Sequence, residues 1–209
     1  MGLVLNKLEE KLDLALAKET GESLNQWLGK KNMNNIKRLI IIGEGGSGKD
    51  HLRKILVENG FRYCVSHTTR PIREGEENGK DYWFIKSSNL KEMVDDFYEG
   101  VFFNNWFYGT SLDEFYSSNL FIMTPKGVEK LKPEDRKKSS ILYLNIDEET
   151  RRSRLESRRD ADDVKRRLEA DFLDFKDFTD FDLEISDPNF TLDSLSDVLD
   201  TLTKNKITK

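Results

Sequence analysis

The residues from Ile40 to His51 read IIIGEGGSGKDH, and Gly43, Gly48 and Lys49 fill fixed positions of the G-x-x-x-x-G-K-S/T phosphate-binding pattern. In that pattern successive backbone N–H groups turn inward onto phosphate oxygens, and the helix that follows adds its positive end. Glycines are needed because side chains would block so close an approach. Gly43, Glu44, Gly45, Gly46, Ser47, Gly48, Lys49, Asp50 and His51 are therefore the candidates for holding a nucleotide triphosphate, with Lys49 as a mobile point charge on its outer phosphates. One position departs. The residue after Lys49 is ordinarily Ser or Thr, whose hydroxyl reaches Mg²⁺, and here it is Asp50. Mg²⁺ accepts carboxylate oxygen readily and keeps several waters. The loop is read as live, with Asp50 as the candidate metal ligand.

A second constellation lies in VSHTTRPIREGEENGKDYWF, residues 65–84. Arg70 and Arg73 flank a proline turn and Tyr82 follows shortly after. Two guanidinium forks and a phenol can converge on one phosphate monoester. Taken alone, the same stretch also reads as an exposed basic loop. Further on, RRSRLESRRDADDVKRRL is rich in arginine. Arginines that close on a migrating phosphoryl group stabilise charge spread over its oxygens while water is excluded. The plainer reading is a solvated helix of Glu and Arg pairs. The basic runs are too short, and too mixed with acids, to suggest nucleic-acid binding.

These residues need a scaffold, and 209 residues suffice for one α/β domain with a proper core and a small appendage. The net charge is −5, so attraction for phosphate must come from local basic groups. RLIIIG is a short apolar run ending in glycine, suited to a strand buried on both faces of a parallel sheet. HLRKILVENG sets Leu52, Ile55 and Leu56 on one helical face and stops at Gly60. Strand, glycine loop and helix form the context that makes the phosphate loop credible. YCVS, LFIMT, SILYLNI and FDLEIS are further short apolar runs, alternating with helical patterns that include TLDSLSDVLDTL, which indicates a layered α/β fold. Upstream, Leu5, Leu8, Leu12 and Leu16, then Leu24, Trp27 and Leu28, predict two helices before the polar KKNMNN. This pair reads either as an arm for self-association or a partner, or as extra helices packed on the same domain. Cys64 is the single cysteine and reads as a buried structural thiol, while His51 and His67 are too isolated for a histidine metal site. No run reaches membrane-spanning length and no secretory or transit signal is evident, so a soluble, cytoplasmic protein is expected.

The segment VSHTTRPIREGEENGKDYWF resembles the GMP-binding segment of guanylate kinases, and FYGT, Phe107–Thr110, resembles that family's Y-Y-G-S/T element. The resemblance covers roughly residues 37–205. It implies a P-loop nucleoside monophosphate kinase fold: a three-layer α/β domain over 36–209 with a parallel sheet, a small acceptor-binding subdomain at about 65–118 and an arginine-rich lid at about 150–168. Residues 1–35 fall outside it as a helical extension. By resemblance, Ser66 reads the base, Arg70, Arg73, Tyr82 and Tyr108 hold the acceptor phosphate, and Thr110 touches the base. Arg154, Arg158 and Arg167 stand like the family's lid arginines. Ser186 and Asp187, in LEISDPNF, are candidates near the donor's adenine.

Besides Asp50, two departures stand out. The family's acidic strand end is replaced by LFIMTPKG, which offers Met123 and Thr124. The glutamate element before Y-G reads as shortened, with Asn104 and Asn105 where a base-reading glutamate is usual. An amide matches guanine's two adjacent donors poorly, so weakened GMP selectivity is expected unless Asp113 or Glu114 compensates. The expected activity is an ATP- and Mg²⁺-dependent kinase, with GMP or dGMP as first choice of acceptor. Two alternatives stay open: a catalytically weak binding module for a phosphorylated partner, and a kinase with another monophosphate or a sugar phosphate as acceptor.

Overall fold

The computed structural model describes residues 38–103, 105–157 and 164–191. The expected N-terminal helices, Asn104, Arg158 and most of TLDSLSDVLDTL lie outside them.

The parallel sheet contains β1 (Arg38–Gly43), β6 (Leu120–Ile122), β7 (Ser139–Leu144) and β8 (Leu183–Ile185), in the order β6-β1-β7-β8. Side chains alternate across a strand, so the LIII run of β1 feeds both faces. Leu39 and Ile41 join Leu52, Leu56, Leu142 and Leu144 on one side. Ile40 and Ile42 join Phe115, Phe121, Ile141 and Tyr143 on the other. Leu39 to Ile42 are fully buried, as a strand covered on both faces requires.

Helix α1 (Lys49–Glu58) covers the first face with Leu52 and Leu56. It ends where expected, with Gly60 at φ 93° and its N–H donating to Val57 O. After a short helix, α2 (Leu90–Met93), helices α3 (Leu112–Ser117) and α4 (Pro125–Glu129) supply Phe115 and Val128 to the second face. Helix α5 (Pro133–Arg136) leads into β7, and α6 (Glu148–Glu156) and α7 (Val164–Phe175) lie between β7 and β8.

A second four-stranded sheet, not anticipated from the sequence as a sheet, contains β2 (His67–Thr68), β3 (Trp83–Phe84), β4 (Phe97–Phe103) and β5 (Trp106–Ser111), in the order β3-β2-β5-β4. β4 and β5 are an antiparallel hairpin in which Glu99 lies opposite Thr110 and Val101 opposite Tyr108. Asn105 follows the end of β4 at φ 66°, in the left-handed region that asparagine tolerates. YCVS is not a strand of its own. Tyr63 makes one isolated bridge to Leu120, and Cys64 is buried as expected.

Candidate active site

In open parallel sheets ligands bind beyond the carboxyl ends of the strands. Here Gly43 ends β1, Met123 and Thr124 follow β6, and Pro188 and Phe190 follow β8, and all border one cleft of about 1090 Å³. The glycine loop forms one wall. Gly46 has φ 80° and Gly48 φ 104°. A Cβ on Gly46 would stand 2.6 Å from the carbonyl oxygen of Arg151, so only glycine fits between the loop and α6. Lys49 folds over the loop, its Nζ donating to Gly43 O at 2.6 Å and Glu44 O at 2.9 Å. Asp50 and His51 open α1 and border the cleft, with His51 beside the Phe190 ring at 5.8 Å.

Two residues of the loop turn their side chains elsewhere. Glu44 turns away and pairs with Arg151 at 3.1 Å. Burial pushes its carboxyl above the usual value, although Arg151 pulls the other way. Ser47 is fully buried with its hydroxyl unpartnered. Neither side chain reaches the cleft. A carboxylate from α7 does: Asp171 Oδ2 accepts the Gly45 N–H at 2.7 Å. A Cβ on Gly45 would lie 2.8 Å from that same oxygen, so the glycine makes room for the acid.

The opposite wall comes from the second sheet and the loop before it. Arg70 is 7% exposed and presents its fork to Glu76, with Nη1 to Oε2 at 3.0 Å and Nη2 to Oε1 at 2.8 Å. Glu76 Oε2 also accepts the Arg73 N–H at 2.8 Å, so one carboxylate shapes the whole turn. Burial alone would lower the Arg70 pKa, but Glu76 holds it above its ordinary value. The guanidinium lies over Tyr82 at 5.4 Å, and Tyr82 meets Tyr108 edge-on at 6.0 Å. Burial, then Tyr108, push the Tyr82 phenol up to about 12, so it remains a hydrogen-bond donor at neutral pH. Ser66, Arg70, Arg73, Tyr82 and Tyr108 all border the same cleft as the glycine loop.

The sequence reading missed Glu99. Its carboxylate borders the cleft and accepts the Thr110 hydroxyl at 2.7 Å. Burial raises its pKa, opposed by the Thr110 bonds and by Lys130. The glutamate element before Y-G is therefore not shortened. It runs back along β4, and Asn105 is exposed at the end of the hairpin and does not itself border the cleft. The signal was present in two aromatic-rich runs separated by Asn-Asn, a hairpin pattern that sets Glu99 across from Thr110.

Thr124 borders the cleft while its hydroxyl accepts the Gly127 N–H at 3.1 Å, capping α4. Arg154 and Arg167 also border it. Arg154 donates to Gly46 O at 3.1 Å and Pro188 O at 2.7 Å, tying α6 to both the loop and the segment after β8. In that segment Pro188 and Phe190 face the cleft, whereas Ser186 and Asp187 do not. His67 packs edge-on against Phe97 at 5.2 Å, outside the cleft. Among the described residues, no three His, Cys, Asp or Glu side chains cluster as a ready-made metal cage.

Residues 35–191 match the family model described as guanylate kinase. The guanylate kinase of Wigglesworthia glossinidia brevipalpis is 33% identical over 194 residues, covering 85% of this chain and 90% of that one. The guanylate kinase of Nostoc sp. is 29% identical over 173 residues, covering 77% and 87%. The crystal structure of guanylate kinase from Anaplasma phagocytophilum aligns with a TM-score of 0.62 over 82% of this chain and 86% of that one, at 21% identity, a likeness of fold.

Proposed function

The chain belongs to the guanylate kinase family, and from that premise we propose that it transfers the γ-phosphoryl group of ATP to GMP or dGMP. The products are ADP and GDP or dGDP. One observation carries the choice of acceptor: the Glu99 carboxylate shares a cleft with the glycine loop and the Arg70–Tyr82–Tyr108 cluster. Guanine's edge offers two adjacent donors, N1–H and the 2-amine, and an ionised carboxylate accepts both. Adenine and cytosine present mixed edges that would leave a buried group unpaired. With a carboxylate in this place, selectivity for guanine is expected to be retained.

An oxygen of the acceptor phosphate attacks the γ-phosphorus, and the bond from that phosphorus to the bridging oxygen of ADP breaks. No covalent enzyme intermediate is required, so the protein's work is alignment and charge. Lys49 steadies the outer donor phosphates. Arg70 spends two N–H groups on Glu76 and a further one on Pro71 O at 2.7 Å. Of its five donors, the rest remain for the acceptor phosphate, beside Arg73, Tyr82 and Tyr108. Ser66 and Thr110 complete the base site, and Thr124 borders it. Arg154, Arg158 and Arg167 belong to the lid.

Mg²⁺ fits the residues present. Asp50 offers a hard oxygen donor at the end of the loop, 71% exposed, with no protein cage competing among the described residues. Such a site relies on phosphate and water for its other ligands. When bound, Mg²⁺ neutralises charge on the donor phosphates.

In this reading residues 36–209 form the kinase domain, about 65–118 the acceptor-binding subdomain and about 150–168 the lid, with 1–35 as an added segment for self-association or a partner. No helix among the described residues is long and apolar enough to cross a membrane, which agrees with a cytoplasmic enzyme acting on small nucleotides. The test is ADP formation from Mg-ATP with GMP, dGMP, AMP, CMP and dTMP. GMP or dGMP should exceed the others in kcat/KM by about tenfold or more, the effect of one unpaired buried group. Equal rates with AMP would overturn the assignment.

A further inference from the structure

Arg53 belongs to neither the loop pattern nor the acceptor segment, yet it stands where the two walls of the cleft meet. It lies on α1 one turn beyond Lys49, so the two share a helix face. Its side chain is 14% exposed and borders the cleft. Nη2 donates to Asp81 Oδ1 at 3.3 Å, and Nε faces Asp50 Oδ1 at 3.8 Å. The guanidinium carbon lies 4.8 Å from the centre of the Tyr63 ring. Asp50 is the residue after Lys49 in the donor loop, and Asp81 is the residue before Tyr82 in the acceptor cluster. Arg53 thus bridges the start of the donor helix and the acceptor loop.

Its bonding is incomplete. An arginine carries five N–H groups, and the contact with Asp81 is the one hydrogen bond Arg53 makes among the described residues. Nε is buried without a hydrogen-bond partner, which in a native interior calls for an explanation. The two acid contacts are also long beside the 2.7–2.9 Å or so of a tight charge-assisted bond. A purely structural tie should be shorter and should use the fork. A cation held loosely by flanking acids, with spare donors at a phosphate-binding cleft, is instead arranged to take an anion.

We propose that Arg53 is a further phosphate-contacting residue of the transfer site, reaching the acceptor monophosphate from the donor helix while Arg70 and Arg73 approach from the acceptor loop. The inference rests on the kinase reading above and adds a residue to the same site. Two phosphates must come within reacting distance there, and a guanidinium between them offsets their repulsion. Asp50 and Asp81 hold it in position.

The experiment compares binding of GMP with binding of guanosine, which lacks the phosphate, by calorimetry on the full chain. Arg53→Gln should weaken GMP about ten- to hundredfold, the loss of charged hydrogen bonds, and leave guanosine within about twofold. Arg53→Lys should fall between, since it keeps charge without the fork. Asp81→Asn loosens the tie but keeps the guanidinium, and should weaken GMP clearly less than Arg53→Gln does. Unchanged GMP affinity in Arg53→Gln, a parallel loss for guanosine, or an Asp81→Asn defect equal to that of Arg53→Gln would each overturn the inference alone. A wild-type chain that binds no GMP would overturn the kinase reading and this inference with it.

Discussion

Glu99→Gln is nearly isosteric and probes the base site directly. The Thr110 hydroxyl donates to Glu99 Oε1 at 2.7 Å, and a glutamine oxygen can keep that bond. The amide NH₂ then occupies the place of the second carboxylate oxygen and faces a guanine donor. One charge-assisted bond is lost and one buried donor goes unpaired, together worth about 1.5–3 kcal/mol, or roughly 10- to 150-fold in kcat/KM for GMP. Inosine monophosphate lacks the 2-amine, so the wild-type preference for GMP over it should narrow in the variant. Acid pH supplies a second readout. Burial raises the Glu99 carboxyl above its ordinary 4.5, so the wild-type KM for GMP should climb as pH falls, sooner than an ordinary carboxylate would allow. That limb should vanish in the variant. Stability moves the other way. A raised carboxyl pKa contributes stability that is present below about 4.5 and lost as pH rises through the folded value. The surroundings of Glu99 disfavour its charged form, so Glu99→Gln should melt no lower than wild type while losing activity. Steady-state kinetics with both monophosphates and a thermal melt decide the matter. Wild-type kcat/KM for GMP with an unchanged ratio to inosine monophosphate would refute the assignment of Glu99 as base reader.

Asp50→Ala should raise the Mg²⁺ concentration needed for half-maximal rate, whereas Asp50→Ser should recover much of the activity; a Mg²⁺ titration of initial rates checks this, and an unchanged dependence in the Ala variant makes the carboxylate a bystander. Glu76→Gln removes charge from the fork that fixes Arg70, and should raise the KM for GMP about tenfold with little change in that for ATP. Arg70→Lys should do at least as much, since a point charge cannot serve Glu76 and a phosphate together; kinetics with each substrate varied in turn separate the two.

The parallel sheet and the glycine loop were legible because their constraints are local. Four apolar residues in succession, closed by a glycine, suit a strand covered on both faces, and Leu39 to Ile42 are fully buried. The left-handed Gly48 sits where the loop pattern asks for glycine. Glu99 was passed over because its constraint is not local. Asn105 is near Tyr108 and Gly109 in sequence, but it lies at the turn end of an antiparallel hairpin. The residue that meets Thr110 lies a full strand further back, at Glu99. Proximity along the chain was the wrong measure, and cross-strand register was the right one. Arg53 escaped for a related reason: its partner Asp81 comes from another part of the fold, and no spacing rule links them.

The charge pattern explains why composition says so little about this cleft. A net charge of −5 offers no long-range pull on nucleotides. The local field depends on arginines placed by acids: Arg70 by Glu76 and Arg53 by Asp81. A free arginine side chain loses about 2 kcal/mol of rotamer entropy when a ligand fixes it. One already held by a carboxylate has given up much of that freedom during folding, so less is lost when the phosphate arrives. The acids lower the average charge of the cleft and at the same time sharpen its geometry. Removing such an acid therefore makes the site more positive and should still weaken phosphate binding, a sign opposite to the one simple electrostatics gives. Glu76→Gln tests that sign directly: tighter GMP binding in that variant would mean that charge, rather than placement, governs the acceptor site.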